Sequence, residues 1–229
     1  MNSISIPIST ASYATRPNHR HQKLISELNY RDVPLMPMHA PYVVEYLDRL
    51  IATVDRAIAD CKKVFAVRVD LHLPMLMIGQ SAYDNRVIEA FFKSLKAKLA
   101  AEHKRRSQTA QYVARCPVRY VWAREQVNAE QPHYHVLLLM NGNFFQSLGD
   151  MNYQNNYLSG FIAKAWQSAL GIPAEMTFPL VHFPKECIYK VSGMTDRERL
   201  SLLQRSSYLC KHQSKDINDS QHNFGVSRL

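Results

Sequence analysis

Residues 63–74, KVFAVRVDLHLP, alternate without a break: Phe65, Val67, Val69, Leu71 and Leu73 fall on one side, Arg68, Asp70 and His72 on the other. Successive side chains of a strand point to opposite faces, so this run predicts a strand with one face in a core and polar groups on the other. Any fold that accepts it must cover one side of a sheet and leave room for charge on the second.

The rest of the chain supplies the partners. PYVVEYLDRLIATVDRAIADC (41–61) spaces Val44, Leu47, Leu50, Ile51, Val54 and Ile58 at threes and fours, which predicts an amphipathic helix with Pro41 near its first turn. After a loop containing Gly79, the run YDNRVIEAFFKSLKAKLAAEHKRR has helical spacing, Asp84 or Asn85 as cap and a basic tail. CPVRYVWAREQ (116–126), rich in strand formers, is joined by the polar VNAEQ to PHYHVLLLMNG, and two strands so joined make a hairpin. NNYLSGFIAKAWQSALG (155–171) predicts a helix closed by Gly171, and MTFPLVHFP a short strand. MTDRERLSLLQRSSYLCKHQSKD then predicts a helix from Thr195 or Asp196 to about Lys215.

A polar, proline-dotted arm (1–40) and a helix (41–62) thus precede a domain over 63–229, in the order β-α-β-β-α-β-α. The expectation is an α+β fold of the ferredoxin-like or RRM-like type: an antiparallel sheet, helices gathered on one side, and the other face open to a ligand.

Composition narrows the function. With 229 residues and 46% apolar content the chain can bury a core. Its apolar runs fall well short of the roughly 18 to 20 residues that cross a bilayer, and its start lacks the apolar core of a signal peptide, so a cytoplasmic protein with no membrane partner is expected. Cys61, Cys116, Cys187 and Cys210 form no C-x-x-C pair and read as reduced thiols. The final SRL resembles a peroxisomal address too short to weigh. The charge is more telling: 28 Lys and Arg against 19 Asp and Glu leave a net +9, which favours a polyanionic partner. The densest basic stretches are KAKLAAEHKRR, ending in Lys104, Arg105 and Arg106, and residues 189–215.

Two clusters carry chemistry. His133 and His135 in PHYHVLLLMNG are two apart on a strand and share a face, so their imidazoles can converge. Glu125 ends the preceding strand; across the hairpin it could complete a three-ligand, open-sided site, or it could be a surface charge. Two nitrogens, one oxygen and open positions suit magnesium or manganese, and zinc fits the same ligands. Tyr208, Lys211 and Lys215 in SSYLCKHQSK share a face if that segment is helical. An ammonium beside a tyrosine favours the phenolate and can neutralise a phosphate. These are the parts of a metal-dependent nuclease that attacks a phosphodiester through tyrosine.

PHYHVLLLMN resembles the His-hydrophobic-His motif of the HUH endonucleases, the rolling-circle replication initiators, with Tyr134 in the middle position. SYLCK resembles their tyrosine motif, and VFAVRVDLHLP lies where their first-strand motif belongs. The set is most similar to the inovirus-type replication proteins of filamentous phages and prophages, over about residues 60 to 215. The resemblance implies that His133, His135 and Glu125 hold Mg²⁺ or Mn²⁺, that Tyr208 is the nucleophile and that Lys211 assists it. It also implies a single-stranded DNA substrate at a replication origin, with a host helicase or polymerase as further partners. Arg68, Asp70 and His72, together with Lys104, Arg105, Arg106 and Lys215 at the basic helix ends, would hold that strand. Tyr120 or Trp122 would stack a base or belong to the core. The sequence departs from the two-tyrosine initiators at His212, four residues after Tyr208. Two other readings share these residues: a non-catalytic RRM-like nucleic-acid-binding protein and a single-tyrosine transposase.

Overall fold

The computed structural model describes residues 22–74, 84–126, 132–150, 157–173, 180–213, 215 and 222–228. The first 21 residues of the arm, the Gly79 loop, the VNAEQ turn, the beginning of the MTFPLVHFP strand and Leu229 lie outside them.

Among the described residues short strands come first: β1 (Leu24–Ile25), β2 (Asn29–Tyr30), β3 (Val33–Pro34) and β4 (Tyr42–Val43), with a 3-10 turn at Pro37–His39. They are followed by α1 (Val44–Cys61), β5 (Val64–His72), α2 (Arg86–Ser107), β6 (Arg119–Glu125) and β7 (His133–Asn141). The chain closes with α3 (Leu158–Leu170), β8 (Val181–His182), β9 (Ile188–Val191), α4 (Arg197–Ser206), a 3-10 turn at Ser207–Cys210 and β10 (Phe224–Val226). The main sheet is antiparallel in the order β10-β6-β7-β5, with β8 and β9 both pairing the free edge of β5. The protein is an α+β fold.

Helices cover both faces of this sheet, which corrects the expectation of a one-sided layer. On the first face Phe65, Val67, Val69 and Leu71 of β5 and Val136, Leu138 and Met140 of β7 pack under α2 and α3. On the second, Val64 and Ala66 of β5, Val121 and Ala123 of β6 and Leu137 and Leu139 of β7 pack against α1 and α4. The reason lies in β7: HVLLLM is apolar on both sides, as a strand buried on both faces must be. Nor is α1 an appendage. Leu47, Leu50, Val54 and Ile58, four of its periodic residues, are at most 4% exposed and form the second core.

Several ends follow their sequence signals. Asp196 caps α4 by accepting from the Glu198 N–H at 3.0 Å. Gly171 closes α3 in the left-handed conformation, φ 67°, where a glycine meets no steric penalty. The last predicted helix does not run to Lys215. It stops at Ser206, tightens into the 3-10 turn, and Lys211 is extended, bridged to Tyr42 of β4. The partners that end it, Tyr42 and the Pro41 carbonyl that accepts from the His212 N–H at 2.8 Å, lie far away in sequence.

Candidate active site

Strand register builds the site. Glu125 of β6 stands opposite His133 of β7, and His133 opposite His72 of β5. The next row holds Ala123, His135, Asp70 and His182 of β8. Directly opposed residues share a face, so all these polar groups project from the second face, at the end where the apolar rows under α1 give out. Tyr134, between the histidines, points the other way and is fully buried against Trp122 and Trp166.

The ligand atoms of Glu125, His133 and His135 lie within 4.8 Å of one another. The two Nε2 atoms of His133 and His135 are 3.1 Å apart, and His135 Nε2 is 3.4 Å from Glu125 Oε2. His135 Nδ1 is 2.6 Å from Asp70 Oδ1; a proton donated there leaves Nε2 with its lone pair toward His133 and Glu125. The other Asp70 oxygen is 3.3 Å from Nδ1 of the exposed His182.

Tyr208 reaches this cluster from the 3-10 turn. Its hydroxyl donates to Glu125 Oε2 at 3.1 Å and lies 3.2 Å from His135 Nε2. Lys211 Nζ sits 3.0 Å from the same carboxylate oxygen and 3.8 Å from the Tyr208 ring centroid. The ring is fixed further by His135 and His39, edge-on at 4.9 and 4.8 Å, and by the Arg68 guanidinium at 6.0 Å. The segment carrying His39 is itself strapped to the turn: the Met36 N–H donates to Ser207 Oγ at 3.4 Å and Gln213 Nε2 to the Ala40 carbonyl at 3.2 Å.

Electrostatics follow from this packing. Burial pushes the Glu125 carboxyl up, but the His135 hydrogen bond and charge, with Lys215 and Lys211, outweigh it and hold it at about 2. Burial and the neighbouring His135 press His133 down to about 4. His135 is opposed by burial yet raised on balance by hydrogen bonds to Asp70 and Glu125. Tyr208 is pushed well up by burial and then by the Glu125 carboxylate. Lys211 thus pairs with Glu125 and not with the phenol oxygen, and without a bound ion burial and then the carboxylate favour the protonated phenol over the phenolate expected beside an ammonium.

A divalent ion fits this donor set. Glu125 Oε1 is buried and has no hydrogen-bond partner among the described residues, and two imidazole Nε2 atoms face the same space.

Residues 28–227 match the model of the YagK/YfjJ C-terminal domain. The chain belongs to this family. It is 33% identical over 200 residues to the uncharacterized protein YagK of Escherichia coli (strain K12), covering 83% of this chain and 96% of that protein. It is 31% identical over 198 residues to the uncharacterized protein YfjJ of the same strain, covering 82% and 95%. No solved structure matches the chain significantly. The family domain takes in the His39 segment and α1 as well as the sheet and the Tyr208 turn.

Of the residues singled out in the sequence, the fold brings Glu125, His133, His135, Tyr208, Lys211, Arg68, Asp70 and His72 together. Asp70 faces histidines on both oxygens, and His72 stacks on His133 with ring centroids 5.5 Å apart. Lys215 is close but buried, 8% exposed, its Nζ without a hydrogen-bond partner among the described residues, so it is not a surface contact for a strand. Lys104, Arg105 and Arg106 lie at the opposite end of the sheet, where Arg106 Nη1 donates to the Phe144 carbonyl just beyond β7. Trp122 belongs to the core and Tyr120 stacks on Phe92. His39 and His182 were missed; a lone histidine in a proline-dotted segment or a two-residue strand gives no periodic signal.

Proposed function

We propose that the protein is a metal-dependent endonuclease of the HUH type that nicks and rejoins single-stranded DNA through Tyr208, initiating rolling-circle replication of a phage or mobile element. The reading rests above all on the Tyr208 hydroxyl, 3.1 Å from Glu125 and 3.2 Å from His135, inside a three-ligand cluster delivered by adjacent strands. A nucleophile placed against the ligands of one divalent ion is an arrangement suited to attack on a phosphodiester. The likeness to inovirus-type replication proteins and the net charge of +9 support the same substrate.

Glu125, His133 and His135 would hold Mg²⁺ or Mn²⁺, zinc fitting the same ligands. The bound ion supplies a Lewis acid for a non-bridging phosphate oxygen. Tyr208 attacks phosphorus; its O–P bond forms as the P–O3′ bond breaks, leaving a 5′-phosphotyrosine and a 3′-hydroxyl. The phenolic proton leaves along the existing hydrogen bond toward Glu125 Oε2, since His135 Nε2 would be taken by the ion, and the departing 3′ oxygen takes up one proton, so the step balances. Lys211 fixes the carboxylate and the ring, and Arg68 adds positive charge beside the nucleophile. Rejoining reverses the step without ATP. The work belongs to the bacterial cytoplasm, at an origin from which a host polymerase extends the 3′-hydroxyl behind a helicase.

An RRM-like reading needs an open sheet face for stacked bases, and α1 covers much of that face. A single-tyrosine transposase shares the chemistry and differs in what is rejoined. The test is incubation with labelled single-stranded DNA and Mn²⁺ followed by a denaturing gel. A covalent protein–DNA band that Tyr208→Phe removes is expected; no band in any divalent metal rejects the reading.

A further inference from the structure

The α2 helix holds seven lysines and arginines against two glutamates, a net +5 of the chain's +9. One of those glutamates, Glu102, is buried and bound at 2.7 Å by both Arg105 and Arg106, so it offsets only its own partners. The exposed lysines Lys93, Lys96 and Lys104 follow one another at three and eight residues along one side of the helix, a ridge about 17 Å long at 1.5 Å per residue. Exposed Arg115 extends the charge: with Lys96 and His103 it lines a cavity of about 700 Å³ beside the ridge.

This surface is remote from Tyr208. The α2 helix packs on the first sheet face and the candidate site opens from the second. The cavity beside the ridge is also lined by Asn141, the far end of β7 from His133, eight residues or about 26 Å along the strand. Nucleic acid lying in the site cannot at the same place touch the ridge.

We propose that the α2 ridge is a second docking surface, one that grips the phosphate backbone of duplex DNA away from the scissile strand. The substrate class rests on the reading of Tyr208 as a DNA nuclease, and the charge complementarity is independent of it. Over about 17 Å of axis a duplex carries about ten phosphate charges on its two strands, one per ~1.7 Å, a dense linear charge for a straight row of cations to meet. Single strands are instead held largely by stacking on aromatic rings, and α2 offers none, since Phe91 and Phe92 are buried. A membrane surface is disfavoured on similar grounds: the apolar side of α2 is spent in the core, leaving nothing to insert.

The test uses the full chain in EDTA, so that no cleavage is involved. Affinity is measured by fluorescence anisotropy over a salt series, for a duplex of about 30 base pairs and a single strand of about 12 nucleotides. In the variant Lys93→Glu/Lys96→Glu/Lys104→Glu, duplex affinity should fall at least ~100-fold and the slope of log K against log salt should shrink by about 3, with single-strand affinity within about twofold of the parent. Lys93→Gln/Lys96→Gln/Lys104→Gln should show a smaller loss of the same kind, which separates charge from misfolding. Unchanged duplex affinity, or equal losses on both DNAs, overturns the proposal. So does a parent protein that binds phosphatidylserine vesicles through these lysines and not the duplex. Duplex binding that depends on the ridge in a protein forming no tyrosine adduct would sink the nuclease reading and leave this one standing.

Discussion

The second face of the sheet has two ends built on the same three strands. At one end Val64, Ala66, Leu137, Leu139 and Val121 are sealed under α1; at the other Glu125, His133, His135, Asp70 and His72 stand in the next rows of the same ladder. The first end gains stability by removing apolar surface from water. The second gathers two carboxylates and three imidazoles that satisfy one another only in part, since Glu125 Oε1 has no partner among the described residues. The contrast teaches that a strand can be scaffold and site at once, the change occurring within two residues, between Leu137 and His135.

The sharpest way to break this division is His135→Ala. It should abolish Mn²⁺ binding by calorimetry and adduct formation on the gel, a loss of more than about 10³-fold, while circular dichroism shows the fold retained at a lowered melting temperature, two carboxylates having lost their partner. Adduct formation that survives in this variant would show that the cluster is not the metal site. The opposite substitution, Leu137→Ala, should cost about 2–5 kcal/mol by denaturant unfolding and leave Mn²⁺ affinity per folded molecule unchanged. A matching loss of metal affinity would mean that the two ends are not separable.

A third way sharpens the site itself. His133, held near 4, is already neutral at pH 6 to 8, whereas His135 is raised above its ordinary value of 6.5. The stabilisation of its charged form is full below 6.5 and is lost as pH rises through the raised value. Mn²⁺ needs the bare Nε2, so its affinity should climb with pH in that window by at most about tenfold per unit, one proton being released. A slope of two protons in a calorimetric pH series would contradict the assignment of His133. The smallest effect is expected at His39, whose edge contact orders the Tyr208 ring. His39→Ala should slow adduct formation about two- to tenfold, and His39→Phe, which keeps a ring edge, should restore most of it. Equal losses in the two variants would mean that the His39 nitrogens, not its ring, matter.

What the sequence made legible depended on range. Alternation in HYHVLLLMN put His133 and His135 on one face and the hairpin brought Glu125 to them, both local effects, whereas the β5–β7 pairing that sets Asp70 opposite His135 crosses 65 residues. The pairing of Tyr208 with Lys211 was legible although its geometry was not. The expected α-helical turn is a 3-10 turn ended by Tyr42 and Pro41, which lie about 170 residues earlier in the chain. Lys215 read as a surface charge because nothing in SSYLCKHQSK shows that it turns inward beside Tyr46. The second helical layer was not read from the sequence, which left that face open: the apolar run in β7 is the sign of it, and periodicity alone does not say that α1 provides the cover. The three-residue β10 was too short to carry any pattern.

The central claim, that Tyr208 is a nucleophile served by the Glu125–His133–His135 cluster, is tested most directly by mapping the adduct. The protein is incubated with single-stranded DNA and Mn²⁺, digested with nuclease and protease, and the modified peptide is sequenced by mass spectrometry. The account predicts a nucleotide on Tyr208, in the peptide containing SSYLC. A nucleotide on Tyr189, which sits against Ala66 under the second core, or no modified tyrosine at all, would contradict it.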